Sequence, residues 1–261
     1  MKRSGNIGDN IIPIGFIGVL LLTWETTARL QIVPTYILPA PTKIIITLIT
    51  NMPNMKEHIL VTLMEALIGF AVSVIIAVFI AIMMDGVPIV KKAVYPLIIT
   101  SQTVPIITIA PLFAIWFGFG YLPKIVIVGL VCFFPVTISM LEGLASVEED
   151  LLNLIKSMGA SKIQLYKTVK FPAAMPSLFS GLKISGTYSI TGATIGEWVG
   201  GKKGLGVYML RVKSSFATDK VFASIILITL LSIGMLKIIN YIERKTMPWV
   251  HDKNNMVWED E

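Results

Sequence analysis

The sequence predicts an all-α fold, a polytopic membrane helix bundle of about six transmembrane helices. Three observations carry that expectation. Of the 261 residues, 54% are hydrophobic and only 15% are charged, where a soluble domain runs near one quarter charged. Apolar stretches of span length recur along the chain, separated by polar segments marked by Pro and Gly. The supply of reactive side chains is also poor: one cysteine, Cys132, inside an apolar stretch, and two histidines, His58 and His251. An internal disulfide is thereby excluded, a His-based triad and a zinc set are poorly supplied, and no catalytic residue, metal ligand or bound cofactor is assigned to this chain. The net charge of +6 does not point to nucleic acid. The basic residues are scattered over loops, which suits anionic lipid beside apolar spans.

Lys2 and Arg3 precede the first apolar run, residues 11–24. A signal peptide opens in the same way, but Thr23, Trp24 and Glu25 follow with no small-x-small cleavage site, so 11–30 reads as an uncleaved N-terminal span. Residues 31–56, with Pro34, Pro39, Pro41 and Pro53, read as a mixed connection. Residues 59–84 are apolar apart from Glu65, and about 20 residues suffice to cross the hydrocarbon core. Asp85, Gly86, Val87 and Pro88 make a turn. Residues 94–117 form a third span interrupted by Pro96, Pro105 and Pro111, with the polar cluster Thr100, Ser101, Gln102 and Thr103 inside it. A broken helix persists in a membrane only where protein or a water-filled cavity satisfies the freed carbonyls. Gln102, Thr103 and Pro105 are therefore candidates for a translocation pathway. The fourth span is 125–141. The fifth, 177–195, carries Gly181, Ser185, Gly186, Ser189, Thr191 and Gly192, a small-residue surface that packs tightly, and Ser189 joins the pathway candidates. The sixth is 221–242, anchored by Glu243, Arg244, Lys245 and Trp249.

Between spans four and five lies a polar interruption, residues 142–176. Ser146 and Glu149 have capping-box spacing, and Glu148, Glu149 and Asp150 place negative charge in a first helical turn. Leu151, Leu154, Ile155 and Met158 recur on one helical face. Gly159 ends that helix in the left-handed region. Ser161 and Gln164 open a second helix through Ile163, Tyr166, Val169 and Lys170, which Pro172 and Pro176 are expected to end.

The stretch DLLNLIKSMGASKIQLYKTVKFPAAMP resembles the cytoplasmic EAA loop of binding-protein-dependent ABC importer permeases. Met158, Gly159, Ala160 and Ser161 match, as do Phe171 and Pro172, whereas Asp150, Leu151 and Leu152 stand where the family has E-A-A. LPAPTKIIITLI, VPIITIAPLFAIWFGFGYLPKI and GEWVGGKKGLGVYM are similar to segments of the nitrate, sulfonate, taurine and thiamine-pyrimidine-precursor branch, so the resemblance covers roughly residues 36–245. It implies a single permease domain over 1–261, with an N-terminal span at 11–30, a core region at 59–245 and a coupling loop at 146–176. It implies a homodimer with the pathway between two copies and two ABC ATPase subunits that carry ATP and Mg. It also implies an extracellular or periplasmic substrate-binding protein, and a location across the cell (cytoplasmic) membrane, in contact with lipid, with cytoplasmic termini. The ATPase would be met by Asp150, Leu151, Leu154, Lys156, Met158, Gly159, Ala160, Ser161, Leu165, Val169 and Pro172. The substrate implied is a thiamine pyrimidine precursor, with aliphatic sulfonate, taurine or nitrate as alternatives.

Competing readings sit beside these. GEWVGGKK is one residue from a P-loop, but Lys203 stands where Ser or Thr must hold magnesium. The helix–glycine–helix segment has helix-turn-helix length, yet it is flanked by spans and offers phosphate only Lys162, Lys167 and Lys170. Lys183 and Glu65 are ionisable groups inside apolar runs that snorkel or pair with each other unless functional. Glu197 is either a gate residue or a rim residue solvated by headgroups. Trp116 and Trp198 belong either to an interfacial belt or to a stacking surface at the outer mouth of the pathway. An ATP-independent secondary transporter would show an internal repeat, and none is visible.

Overall fold

The computed structural model describes residues 7–249; Lys2, Arg3, His251 and Lys253 lie outside them. The described residues form helices only: α1 (Ile7–Arg29), α2 (Pro41–Gly86), α3 (Pro88–Ser101), α4 (Ile106–Phe117), α5 (Leu122–Ala145), α6 (Glu149–Ser157), α7 (Lys162–Leu165), a π-turn (Tyr166–Lys170), α8 (Phe171–Gly200), α9 (Leu205–Ser214) and α10 (Thr218–Thr246). Among them α2, α5 and α10 are long and apolar enough to cross a membrane, and α3 with α4 adds a broken span bent by 104°. α8 is 30 residues long and its Gly, Ser and Thr content keeps its hydropathy low.

Residues 41–56 are helical, not a mixed connection. α2 has 46 residues, about 69 Å at 1.5 Å per residue, well over the hydrocarbon thickness of ~30 Å. Pro41 sits in its first turn, where a missing N–H costs nothing. The Glu25 carboxylate of α1 accepts from the Thr42 N–H at 3.0 Å and from its hydroxyl at 2.7 Å, satisfying an orphan donor at that terminus. The protruding half of α2 is held by contacts between segments far apart in sequence. Met55 packs with Leu205, Tyr208 and Val212 of α9 and Leu227 of α10, and Thr47 donates to Asp219 at 2.9 Å.

Burial follows membrane rules. Large apolar side chains such as Ile75, Phe79, Ile89 and Leu230 point outward, while Ala66, Ala77, Ala81, Ala174, Ala193 and Ala223 are fully buried. With lipid as apolar as leucine, helices associate through close packing and interhelical hydrogen bonds, which small residues permit. The most extensive contact joins α5 and α8. They run antiparallel: Gly143 faces Ala174 and Ser177, Gly181 faces Ser139 and the Pro135 carbonyl, and Gly196 faces Lys124. Midway, Ser185 Oγ donates to the Cys132 carbonyl (2.9 Å) and Cys132 Sγ donates to the Ser185 carbonyl (3.3 Å). Of the small residues expected to pack in span five, Gly181, Ser185 and Gly192 lie in this seam, whereas Gly186 faces Met235 and Ile239 of α10 and Thr191 is exposed.

A Cβ on Gly181 would stand 2.8 Å from Ser139 Cβ and 2.9 Å from the Pro135 oxygen. Gly181→Leu is therefore expected to cost about 1–3 kcal/mol or more through overpacking. Thermal unfolding in detergent checks this. The midpoint should fall for Gly181→Leu and hold for Gly234→Leu, which meets open space on α10.

Candidate functional site: elbow and groove

Two features stand out from the bundle, an exposed elbow between α5 and α8 and a groove at the α3–α4 break. In the elbow, Glu149 and Asp150 occupy the first turn of α6 and Lys156 the last, as the helix dipole favours. The first expected capping box does not form. The N-cap is Glu148, without a side-chain bond, and Ser146 donates to the Gly143 carbonyl at 2.9 Å. α5 continues to Ala145 and holds Ser146 in helical conformation, so its hydroxyl serves the end of α5. The far end matches expectation. Gly159 has φ +84°, its N–H reaches the Lys156 carbonyl (2.9 Å) and the Ala160 N–H the Ile155 carbonyl (3.4 Å), a Schellman closure. Ser161 and Gln164 form the second box in both directions, at 2.8 and 3.3 Å.

Pro172 and Pro176 do not end the second helix. The backbone widens into the π-turn, where the Phe171 N–H donates to Tyr166, five residues back, and the chain continues into α8. That register change relieves the demand for a donor at Pro172. No residue of α6 is buried. Leu151, Leu154, Met158 (77% exposed) and Ile163 (79%) form an uncovered apolar surface. Asp150, Lys156, Gly159 and Ser161 are exposed beside it, Ala160, Val169 and Pro172 are half-buried, and Leu165 turns inward.

The elbow is tied to the bundle by Asp85, expected from the sequence only as a turn former, and by Tyr166 and Lys170 of the second elbow helix. Asp85, at the end of α2, accepts from the Tyr166 hydroxyl and from Lys170 Nζ at 2.7 Å. Lys170 also lies 5.2 Å from the Tyr166 ring centroid, within cation–π range. Burial, and secondarily the Asp85 carboxylate, push the Tyr166 phenol above its usual range, so it stays a donor. Because α3 starts at Pro88, this clamp joins the elbow to the α2–α3 junction.

The groove lies where Pro105 breaks the helix. Proline has no N–H and forces its predecessor into extended backbone. The Ser101 carbonyl, which Pro105 cannot serve, accepts from the Val104 N–H at 3.3 Å, and local hydroxyls add bonds around the break: Thr100 to the Pro96 oxygen (2.8 Å), Ser101 to that of Ile98 (2.9 Å), Thr103 to that of Thr100 (2.7 Å) and Thr108 to that of Pro105 (2.6 Å). Gln102 and Pro105 line a cavity of about 550 Å³ together with Phe134, Tyr188 and Thr191. Thr103 is exposed at the break but outside that lining. Ser189 is fully buried and bonds the Gly186 carbonyl. Trp116 stands exposed beside Phe113, and Trp198 lines a separate cavity with Met209 and Leu210.

Glu197 is neither at the groove nor solvated at a rim. It is 1% exposed, accepting from Thr62 Oγ1 (2.6 Å) and the Gly206 N–H (2.5 Å). The Leu205 N–H meets Thr62 Oγ1 and the Gly204 N–H meets His58 Nδ1. The orphan donors of α9 are thus held by α2 and α8, and this is what the GEWVGGKKGLG run builds. Beside it Lys124 bonds Glu65 at 2.6 Å, both buried. Lys183 pairs not with Glu65 but with Glu243 of α10, at 2.5 Å. His58, Thr62 and Glu65 share one face of α2 at helical spacing, a signal present in the sequence.

A helical membrane bundle with a broken span, a small-residue seam and an exposed amphipathic elbow defines a multi-pass transport component. Residues 69–248 match the family described as binding-protein-dependent transport system inner membrane component, and the chain belongs to that family. It is 35% identical over 250 residues to the formylaminopyrimidine transport permease protein ThiX of Halalkalibacterium halodurans, covering 95% of this chain and 98% of that protein. It is 29% identical to the taurine transport system permease protein TauC of Escherichia coli, covering 91% and 89%. A chain of the inward-facing MetNI methionine ABC transporter shares the fold, with TM-score 0.53, 18% identity, 73% of this chain and 95% of that one. The protein is a membrane-spanning permease of an ABC transporter, a transport component rather than a catalyst, and its family implies an ATPase and a substrate-binding protein as partners.

Asp85→Ala leaves Lys170 and Tyr166 without their acceptor, a loss of about 1–3 kcal/mol or roughly five- to 150-fold in local opening. Amide hydrogen exchange over 162–170 should accelerate accordingly, with 178–195 unchanged. Unchanged exchange at 162–170 would contradict the clamp.

Proposed function

We propose that two copies of this chain form the pathway of an ATP-driven importer for a formylaminopyrimidine-type thiamine precursor. Two ATPase subunits, carrying ATP and Mg, dock on the elbows, and an external binding protein delivers the solute on the opposite side. The elbow end faces the cytoplasm, and both termini lie on that side of the inner membrane. The observation that carries this reading is the uncovered apolar surface of Leu151, Leu154, Met158 and Ile163 on a segment clamped to the bundle by Asp85. Solvated apolar stripes of this kind mark protein interaction sites.

Closure of the ATPases moves the elbow. The Asp85 clamp and the α5–α8 seam carry that displacement to the α2–α3 junction and to the groove, which opens alternately to either side. The substrate assignment rests on the likeness to ThiX, which extends over nearly the whole of both chains.

Proteoliposomes holding the permease, its ATPase and its binding protein test this. Formylaminopyrimidine should accumulate only with hydrolysable ATP. Accumulation of taurine or an aliphatic sulfonate in its place, or uptake independent of ATP, would contradict the proposal.

A further inference from the structure

Among the described residues, no Lys, Arg, His, Asp or Glu lines the groove at the α3–α4 break. Its walls are Val104, Pro105, Ile106, Ile107, Val131 and Pro135. An anion entering this space loses water and meets no cation, and a cation meets no carboxylate; both are strongly unfavourable. The polar groups present are few. Ser101 spends its hydroxyl on the Ile98 carbonyl, which leaves the Gln102 amide, the Tyr188 phenol and the Thr191 hydroxyl. Tyr188 is about half exposed (51%), so its ring is available, and Phe134 adds a second aromatic wall. Apolar walls with a few convergent polar groups, at a volume of about 550 Å³, describe a small-molecule site.

We propose that this groove selects for uncharged, planar heterocycles, with Tyr188 as the stacking surface and Gln102 as the group that reads the ring edge. A primary amide presents a donor and an acceptor side by side. That pair matches a ring nitrogen adjacent to an exocyclic amine, as glutamine matches the corresponding edge of adenine. Offset stacking on Tyr188 orients the ring against it. Selection against sulfonates and other anions then resides in the permease as well as in the binding protein. The ring-reading part rests on the function proposed above; the charge selection rests on the groove alone.

Two arms separate these. In the assembled transporter, Thr191→Cys should react with an uncharged methanethiosulfonate at least tenfold faster than with a sulfonate-bearing reagent of similar size. Ser157→Cys on the elbow, labelled in the permease before the ATPase is added, should show less than a threefold difference. Equal rates at position 191, or no labelling by either reagent in any nucleotide state, would overturn the charge selection whatever the substrate. In the uptake assay, Gln102→Leu and Tyr188→Ala should each raise the KM for formylaminopyrimidine at least tenfold, with Tyr188→Phe near wild type. Unchanged KM in both, or a Tyr188→Phe defect equal to that of Tyr188→Ala, would overturn the ring-reading role.

Discussion

The close approach of α5 and α8 is the contact on which the rest of this structure depends. Inside a bilayer no hydrophobic force draws helices together, so the pair must be held by backbone proximity and hydrogen bonds. Glycines at 143, 181 and 196 bring the backbones near, and the reciprocal Cys132–Ser185 bonds lock the register at the centre. Because the two helices are antiparallel neighbours, the chain joining them returns within 25 residues on the same side. The elbow is that return, and its position is fixed by the seam.

The two ends of the bundle are organised differently. At the elbow end, a charged clamp of Asp85, Tyr166 and Lys170 sits at the margin of the fold, with the Lys170 and Asp85 side chains 14% and 10% exposed. Such a junction can transmit displacement while remaining within reach of water. At the opposite end the polar groups are interior. Thr62, Glu197 and His58 satisfy the N-terminus of α9, and Lys124 pairs with Glu65. The bonds from Thr62, Glu197 and His58 fasten the short α9 helix over the protruding half of α2, while Glu65 Oε2 beside them has no hydrogen-bond partner among the described residues.

Much of this was legible in the sequence because the signals were local. Hydropathy and span length define the helices, Gly159 and the Ser161–Gln164 box define the elbow, and Pro105 with its flanking hydroxyls marks the break. What escaped depended on partners distant in sequence. Ser146 has the composition of an N-cap, but α5 runs on far enough to claim its hydroxyl. Pro172 carries a stop signal that a π-turn absorbs. Glu197 stands among glycines and aromatics like an interfacial residue, and only the folding of α9 over α2 makes it a buried acceptor. Asp85 resembles a turn former until Tyr166 and Lys170, more than 80 residues on, are brought beside it.

The claim at the centre of this account is that the elbow is a handle gripped by another polypeptide. Hydrogen–deuterium exchange across residues 149–165, with and without the ATPase subunit, tests it most directly. Strong protection of these amides is expected on ATPase binding, and none on addition of the binding protein alone. Exchange unaffected by the ATPase, or slowed by the binding protein instead, would contradict it.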